Sequence, residues 1–182
     1  VLITGSLPVK LDIVKIDTSS PALGEKFTKN AVAVGLFAIL GIAGVLFIRY
    51  RSFKVSIPIF IAMASEVVII LGVASLIKWN LDLAAIAGII IAVGTGVDDQ
   101  IVITDEIRTK QKNEHLSWRQ RIKNAFFIIM AAYFTTVVAM LPLIRAGAGL
   151  LKGFAITTII GVTIGVLITR PAYAKIIEIL EK

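Results

Sequence analysis

Long apolar segments separated by short charged ones set the pattern of this chain. Five of them are long enough to cross a hydrocarbon layer of roughly 30 Å as helices, and they cover about 31–48, 55–77, 83–104, 125–144 and 150–168. Because lipid supplies no hydrogen-bond partners to an unclosed strand, each segment is predicted to be a helix. The pattern therefore predicts an all-α membrane protein built as a five-span helical bundle.

The first thirty residues follow a different pattern. Apolar side chains alternate with polar ones at Val9, Leu11 and Ile13, as in a half-buried strand, and residues typical of turns come next. A strand needs a sheet to join, and thirty residues are too few to bury a core. We therefore expect residues 1–30 to be the end of an extracytoplasmic α+β domain and its connector, preceded in a longer protein by the rest of that domain and an earlier span.

Composition and charge extend the membrane prediction. Of the 182 residues, 57% are hydrophobic and 17% are charged, and the mean hydropathy is +0.91, far from the balance of a soluble domain. If the first span runs from outside to inside, twelve Lys and Arg residues fall in inner segments and three in outer loops. This asymmetry predicts a multi-pass protein of the cell membrane, with the bundle over 31–170 and a cytosolic C-terminal helix over 171–182.

Several classes of function lack local support in the sequence. The net charge of +7 needs no nucleic-acid partner, because inner basic segments face anionic lipid. The chain has no P-loop, no H-E-x-x-H motif and no cysteine, and its one histidine, His115, stands alone in the longest loop. Nucleotide and zinc chemistry therefore have no motif here. We expect neither an enzyme nor a bound metal or cofactor.

Three carboxylates inside the apolar segments are the candidate functional groups. Asp98 and Asp99 follow an uncharged stretch of the third segment, and Glu66 lies near the centre of the second. An ionised carboxylate at such a depth costs about 2.5 to 3.5 kcal/mol, so at least one aspartate is expected to hold a proton much of the time. Thr95 precedes the pair by three and four residues, which brings its hydroxyl within reach of either carboxylate. These four residues are predicted to couple the protein to an ion or proton gradient.

A face of small residues lies on the same predicted helix. Gly88, Ala92 and Gly96 recur at every fourth residue, which brings them to one side and suits them to close helix packing. Asp99 falls on that face, whereas Asp98 lies about 100° around the helix from it. The pattern therefore predicts a buried Asp99 and a more accessible Asp98.

Three ordered stretches resemble the SecD family, a subunit of the SecDF accessory complex of the Sec protein-export machinery, within the resistance-nodulation-division superfamily. They are LPVKLDIVKIDTSSPALG from Leu7, IAGIIIAVGTGVDDQIVITDEIR from Ile86, and GAGLLKGFAITTIIGV from Gly147 with a closing ITR. The residues that match the family's motifs include Gly94, Lys152, Gly153, Phe154 and Arg170. The resemblance extends over nearly the whole chain.

This resemblance implies an accessory subunit of the Sec protein translocase that couples the ion gradient to late-stage export of preproteins. The fold would be half of a resistance-nodulation-division membrane domain. The implied partners are SecF, the Sec translocon, unfolded preprotein and membrane lipid, without a cofactor. Asp98 takes the place of the family's membrane aspartate implicated in using the proton gradient. Asp99 and Gln100 stand where bacterial members usually have Ala-Asn, so the chain looks more like an archaeal member.

Two other functions stay open at this stage. The adjacent V-D-D residues are also a feature of efflux pumps in the same superfamily, which would make the chain half of a proton-driven exporter of small molecules or lipids. Alternatively, the chain is a non-transducing assembly subunit. In that case the acidic groups only pack helices: the aspartates cap a helix that ends early or reach the inner interface, and Glu66 forms a hydrogen bond between packed helices.

Overall fold

A computed structural model describes residues 21–79, 81–108, 117–146 and 150–181. These residues form six α-helices and one π-helical turn, and none of them is in a β-strand. The elements are α1 (Pro21–Tyr50), α2 (Phe53–Leu76), α3 (Leu83–Arg108), α4 (Trp118–Ala146), α5 (Leu150–Ile164), the π-helical turn (Gly165–Thr169) and α6 (Arg170–Glu181). The predicted all-α membrane fold is confirmed. The strand expected around Val9 to Ile13 lies outside the described residues.

Five helical stretches in the described residues are long and apolar enough to cross a membrane, which agrees with the five predicted spans. They are Ala33–Tyr50, Phe53–Leu76, Leu83–Arg108, Trp118–Arg145 and Leu151–Leu180. The last three are longer than the apolar segments suggested. In the fifth, α5, the π-helical turn and α6 follow one another without a break, so the helix continues through Arg170.

Short connections with defined geometry join the first three spans. Arg51, between α1 and α2, and Lys78, just after α2, have positive φ angles of 46° and 52°. Beyond α2, the backbone N–H groups of Lys78 and Trp79 bond back to carbonyls of its last turn, as a left-handed residue allows at a helix C-terminus. Asp82 then caps α3, because its Oδ1 accepts a 2.7 Å hydrogen bond from the N–H of Ala85.

The third helix is the centre of the bundle. It contacts α1, α2, α4, α5 and α6, and its most extensive contact is with α5. Its inward side buries apolar residues along its length, among them Val93, Val97, Ile103 and Ile107. By contrast, α1 and α4 expose large apolar side chains such as Phe37 and Phe127. A helix with an exposed apolar surface is suited to lipid, whereas α3, at the centre of the bundle, buries Gln100 and Thr104 completely.

Candidate functional site

A buried ion-pair network joins three helices. The guanidinium of Arg170, at the start of α6, lies 3.0 Å from Glu66 Oε1 on α2 through Nη1, and 3.0 Å from Asp99 Oδ2 on α3 through Nε. The hydroxyl of Thr169 donates a 3.1 Å hydrogen bond to Glu66 Oε2. The side chains of Arg170 and Glu66 are 1% and 0% exposed. We call these four residues the arginine cluster.

The charges of the arginine cluster do not balance. One guanidinium faces two carboxyl groups, so the cluster holds one excess negative charge when both carboxyl groups are ionised. Bringing charge into a low-dielectric interior is expensive unless it is compensated. A single bound proton or monovalent cation would restore neutrality.

Two glycines make room for the arginine cluster. A Cβ atom on Gly165, in the π-helical turn, would collide with Nη1 of Arg170, and one on Gly96 would lie 2.8 Å from Glu66 Oε2. The guanidinium therefore occupies the space that a side chain at position 165 would need. Single π-helical turns inside α-helices frequently occur at functional sites, and this one carries Thr169 and leads directly into Arg170.

Asp98 lies beside the arginine cluster on a polar cavity of about 160 Å³. The cavity is bounded by α3, α4, α5, the π-helical turn and the start of α6, and it is lined by Thr95, Asp98, Asp99, Ala132, Tyr133, Thr136, Val162, Val166 and Arg170. Asp98 is exposed, and within the described part of the chain it has no ion-pair partner, in contrast to Asp99. The cavity thus places the exposed carboxylate of Asp98 next to the half-buried, paired carboxylate of Asp99.

Thr95 does not make the contact that its spacing suggested. Its hydroxyl donates a 2.8 Å hydrogen bond to the carbonyl of Ala92, so it bonds to its own helix and not to Asp98 or Asp99. Threonines in helices commonly form this type of bond. Thr95 keeps a place in the cavity wall, where its role in coupling stays a prediction.

The small residues of α3 face α5 and the arginine cluster. A Cβ atom on Gly88 would lie 2.7 Å from the carbonyl oxygen of Phe154, and one on Gly161 of α5 would collide with the Cβ of Ala92. Three residues before Gly88, the carbonyl oxygen of Ala85 accepts a 3.0 Å hydrogen bond from the hydroxyl of Thr157 on α5. Gly88 and Ala92 thus lie where the two backbones approach closely, and Gly96 lies one turn further along, against Glu66.

The remaining motif residues occupy different environments. Gly153 is buried at the start of α5, where an added Cβ would lie 3.1 Å from Asp82 Oδ1, the atom that caps α3. Phe154 is half-buried, and Lys152 is exposed. Among the described residues, nothing lies within 4 Å of a Cβ atom built on Gly94. Gly153 therefore lies against the residue that caps α3, and the carbonyl of Phe154 lies against Gly88 of α3. Lys152 and Gly94 show no such close contact among the described residues.

Sequence reasoning missed the position of Arg170. Its place at the end of an apolar segment suggested a cation in an inner loop, and it counted toward the basic excess there. The structure places it in the bundle as the ion-pair partner of Glu66 and Asp99. One signal pointed to it: three carboxylates in apolar segments need a cation, and no other basic residue lies between Lys152 and Lys175. Without Arg170, eleven Lys and Arg residues still fall in inner segments and three in outer loops, so the predicted orientation does not depend on it.

Comparison with known proteins identifies the family. The family model described as "Protein export membrane protein SecD/SecF, C-terminal" matches residues 3–180. Relatives called protein-export membrane protein SecD include those of Methanothermobacter thermautotrophicus, 52% identical over 96% of this chain, Methanocaldococcus jannaschii, 56% identical over 96%, and Thermococcus gammatolerans, 50% identical over 99%.

The matches also show how much of a relative this chain represents. It spans 45%, 43% and 35% of the lengths of those three relatives, respectively. The relatives with these identities are archaeal, as the resemblance in the third segment suggested, and their names refer to protein export rather than to small-molecule transport. This multi-pass membrane chain therefore belongs to the SecD/SecF C-terminal family of protein-export membrane proteins.

Proposed function

We propose that this chain is the C-terminal membrane portion of an accessory subunit of the Sec protein translocase, which couples the transmembrane ion gradient to late-stage export of preproteins. The observation that carries the proposal is the arginine cluster at membrane depth, directly beside the cavity that holds Asp98. Family membership supports the role in protein export. The buried charges of the arginine cluster beside the exposed carboxylate of Asp98 support coupling to an ion gradient.

Stability alone is a weak explanation for the arginine cluster. Ionised groups near the bilayer centre cost about 2.5 to 3.5 kcal/mol each on insertion scales. Buried ion networks can often be replaced by apolar residues without loss of stability. A network of this kind that also borders an open polar cavity is better explained by ion binding, since the cavity gives an ion access to carboxylates that the rest of the bundle shields.

The mechanism follows from competition of the carboxylates of Glu66, Asp98 and Asp99 for the single guanidinium of Arg170. When Asp98 is ionised, it adds a second negative charge to the cavity that Arg170 and Asp99 share. When Asp98 binds a proton or a monovalent cation, that charge disappears and Arg170 is left to Glu66 and Asp99. Because Arg170 joins α6 to α2 and α3, this change biases the arrangement of these helices. Movement of the helices would be transmitted to the outer domain, and no covalent bond is made or broken.

The available energy is sufficient for such a switch. Moving one charge through 100 mV is worth about 2.3 kcal/mol, which shifts a two-state equilibrium by roughly 50-fold. Two or three ions per cycle would therefore move the bundle almost completely between two states. The coupling ion, H⁺ or Na⁺, is the one that the Asp98 cavity binds.

The position of Asp98 also bears on partners. Its side chain is exposed on the surface of the single chain, within a span where contact with lipid would be costly. A second membrane subunit that covers this face would shield it, and the family's partner for that place is SecF. The Sec translocon and unfolded preprotein are the other partners of the proposal, and lipid surrounds the apolar faces of α1 and α4.

The test is gradient-dependent export by the full-length protein assembled with SecF in inverted membrane vesicles. Asp98→Asn keeps the size of the side chain and removes its charge. We expect normal assembly and normal export without a gradient, but loss of the stimulation that the gradient gives the wild type. Glu106→Gln removes a charge from the same helix outside the cavity and is the matched control. Full stimulation in the Asp98→Asn protein would remove Asp98 from the coupling mechanism.

A non-transducing assembly subunit is the second candidate, and one observation favours it. Both carboxylate oxygens of Glu66 have partners, Arg170 and Thr169, so the arginine cluster could serve as a fixed link between α2, α3 and α6. A triple variant with Glu66→Met, Asp99→Leu and Arg170→Met separates the two functions, because apolar replacement of a whole buried network preserves stability in known cases. Assembly with loss of gradient stimulation supports coupling. Assembly with full stimulation supports the structural role.

A further inference from the structure

A buried amide on α3 has no polar partner in the part of the chain that the structure describes. The side chain of Gln100 is 0% exposed, and neither its Oε1 nor its Nε2 has a hydrogen-bond partner among the described residues. Leaving one such group unpaired costs about 1 to 3 kcal/mol, and the great majority of buried polar atoms are paired with protein or with ordered water. A buried amide with both polar atoms unpaired is therefore a group that a small polar molecule would satisfy.

Gln100 lies between two polar groups on the same side of α3. One helical turn before it, Gly96 lies against Glu66 and Arg170 of the arginine cluster. One turn after it, Thr104 is fully buried and shares a 2.6 Å hydrogen bond with the hydroxyl of Tyr173 on α6. Residues four apart lie on one face, about 5.4 Å from each other along the axis. Gln100 is thus the middle member of a buried polar row.

The row continues to the exposed end of the bundle. Asp105, the residue after Thr104, is the next polar group toward the end of α3. The hydroxyl of Tyr50 donates a 3.0 Å hydrogen bond to Asp105 Oδ1, and Arg49 forms a 2.9 Å ion pair with Asp105 Oδ2. The side chains of Arg49 and Asp105 are 57% and 40% exposed. Polar groups therefore follow one another from the arginine cluster to the end of α3, and the only member without partners is Gln100.

This row is separate from the cavity of Asp98. The cavity is lined by residues of α3, α4 and α5 and includes Arg170, but Gln100, Thr104 and Tyr173 do not line it. Arg170 and Asp99 of the arginine cluster line the cavity. Gly96, one turn before Gln100, lies against Glu66 and Arg170, so the cavity and the row both meet the arginine cluster.

We propose that Gln100 binds internal water and forms with Thr104 and Tyr173 a hydrated polar pathway from the arginine cluster to the end of the bundle at Arg108. A water molecule makes two to four hydrogen bonds in such a site. It can accept from Nε2 and donate to Oε1 or to the hydroxyl of Tyr173. The hydration is independent of the proposed function. Its use as the inner route of the coupling ion rests on that function.

Cysteine reactivity tests the pathway, because thiols react with methanethiosulfonates as thiolates, which form in water. The 182 residues contain no cysteine. The protein tested is the full-length complex with SecF in membrane vesicles, with any cysteine elsewhere replaced by serine. Gln100→Cys and Thr104→Cys probe the row. Ile103→Cys is the matched control, because Ile103 is also 0% exposed but is apolar and is not part of the row.

We expect 2-aminoethyl methanethiosulfonate, applied at the Arg108 end of the bundle, to modify Gln100→Cys and Thr104→Cys at least about tenfold faster than Ile103→Cys. Size-exclusion chromatography checks that each variant assembles. If the Gln100→Cys protein does not assemble, the labelling rate of Thr104→Cys is the test. Equal rates at the row and at position 103 would overturn the proposal. Labelling needs no ion gradient, so it tests hydration of the row separately from the proposed function. The row can be labelled even if export proves independent of the gradient, and export can depend on the gradient even if the row is not labelled.

Discussion

Replacing Gly165 with alanine is expected to dislodge the guanidinium of Arg170. A Cβ atom at position 165 would overlap Nη1 of Arg170. The end of an arginine side chain can usually move aside, but here Nη1 and Nε are each held 3.0 Å from a carboxylate oxygen, of Glu66 and Asp99 respectively. Any shift large enough to admit the methyl group breaks at least one of these two ion pairs.

The size of the effect follows from two opposing terms. Alanine in place of glycine stabilises a helix by about 0.5 to 1 kcal/mol. Breaking a buried ion pair so that a charge is left without its partner destabilises by about 3 to 5 kcal/mol. The net expected loss for Gly165→Ala is therefore about 2 to 4 kcal/mol of unfolding free energy.

The assay is unfolding of the purified full-length protein in mixed micelles with increasing dodecyl sulfate, followed by tryptophan fluorescence. Gly94→Ala is the matched control, since Gly94 is also helical and nothing lies within 4 Å of a Cβ built there. It is expected to be neutral or slightly stabilising. In an Arg170→Met background, the cost of Gly165→Ala is expected to disappear. If Gly165→Ala and Gly94→Ala behave alike in the wild-type background, the guanidinium is not confined as described.

Three further predictions concern packing, capping and topology. Ala92→Leu is expected to lower detergent stability much more than Ile91→Leu, because Ala92 contacts Gly161 of α5 while Ile91 is 45% exposed; equal stability would mean that the small face is not a contact. Asp82→Ala removes the cap of α3 and is expected to cost about 1 kcal/mol in the same unfolding assay, whereas an unchanged midpoint would show that the cap is dispensable. Single cysteines in place of Lys112 and Lys182 are expected to resist an impermeant thiol reagent applied outside intact cells, and those in place of Lys15 and Lys78 to react; outside labelling at position 112 would reverse the orientation.

Span number and type could be predicted from the sequence because they depend on local composition. A run of apolar residues long enough for the bilayer has almost no alternative to a helix. The different exposure of Asp98 and Asp99 was also predictable, since it follows from helical geometry and from the face of small residues that includes Ala92. These features need no knowledge of which helices are neighbours.

Long-range pairing could not be predicted in the same way. Arg170 is 104 residues from Glu66 and 71 from Asp99 along the chain, and its position depends on a helix that continues through a π-helical turn. An arginine after an apolar segment is usually an interface cation, so local rules assigned it to a loop. The prediction for Thr95 failed for a different reason. Its hydroxyl can donate either to a carboxylate or to the backbone carbonyl of Ala92 one turn earlier, and in the structure it donates to that carbonyl.

The measurement that tests the central claim most directly is ion uptake by liposomes that contain the full-length protein with SecF. An inward gradient of H⁺ or Na⁺ is imposed, and a dye trapped inside reports entry of the ion. We expect uptake of one of these ions by the wild type, a rate lower by about tenfold or more in Asp98→Asn, and an unchanged rate in Glu106→Gln. Wild-type uptake by the Asp98→Asn protein, or no uptake of either ion by the wild type, would contradict gradient coupling through this site.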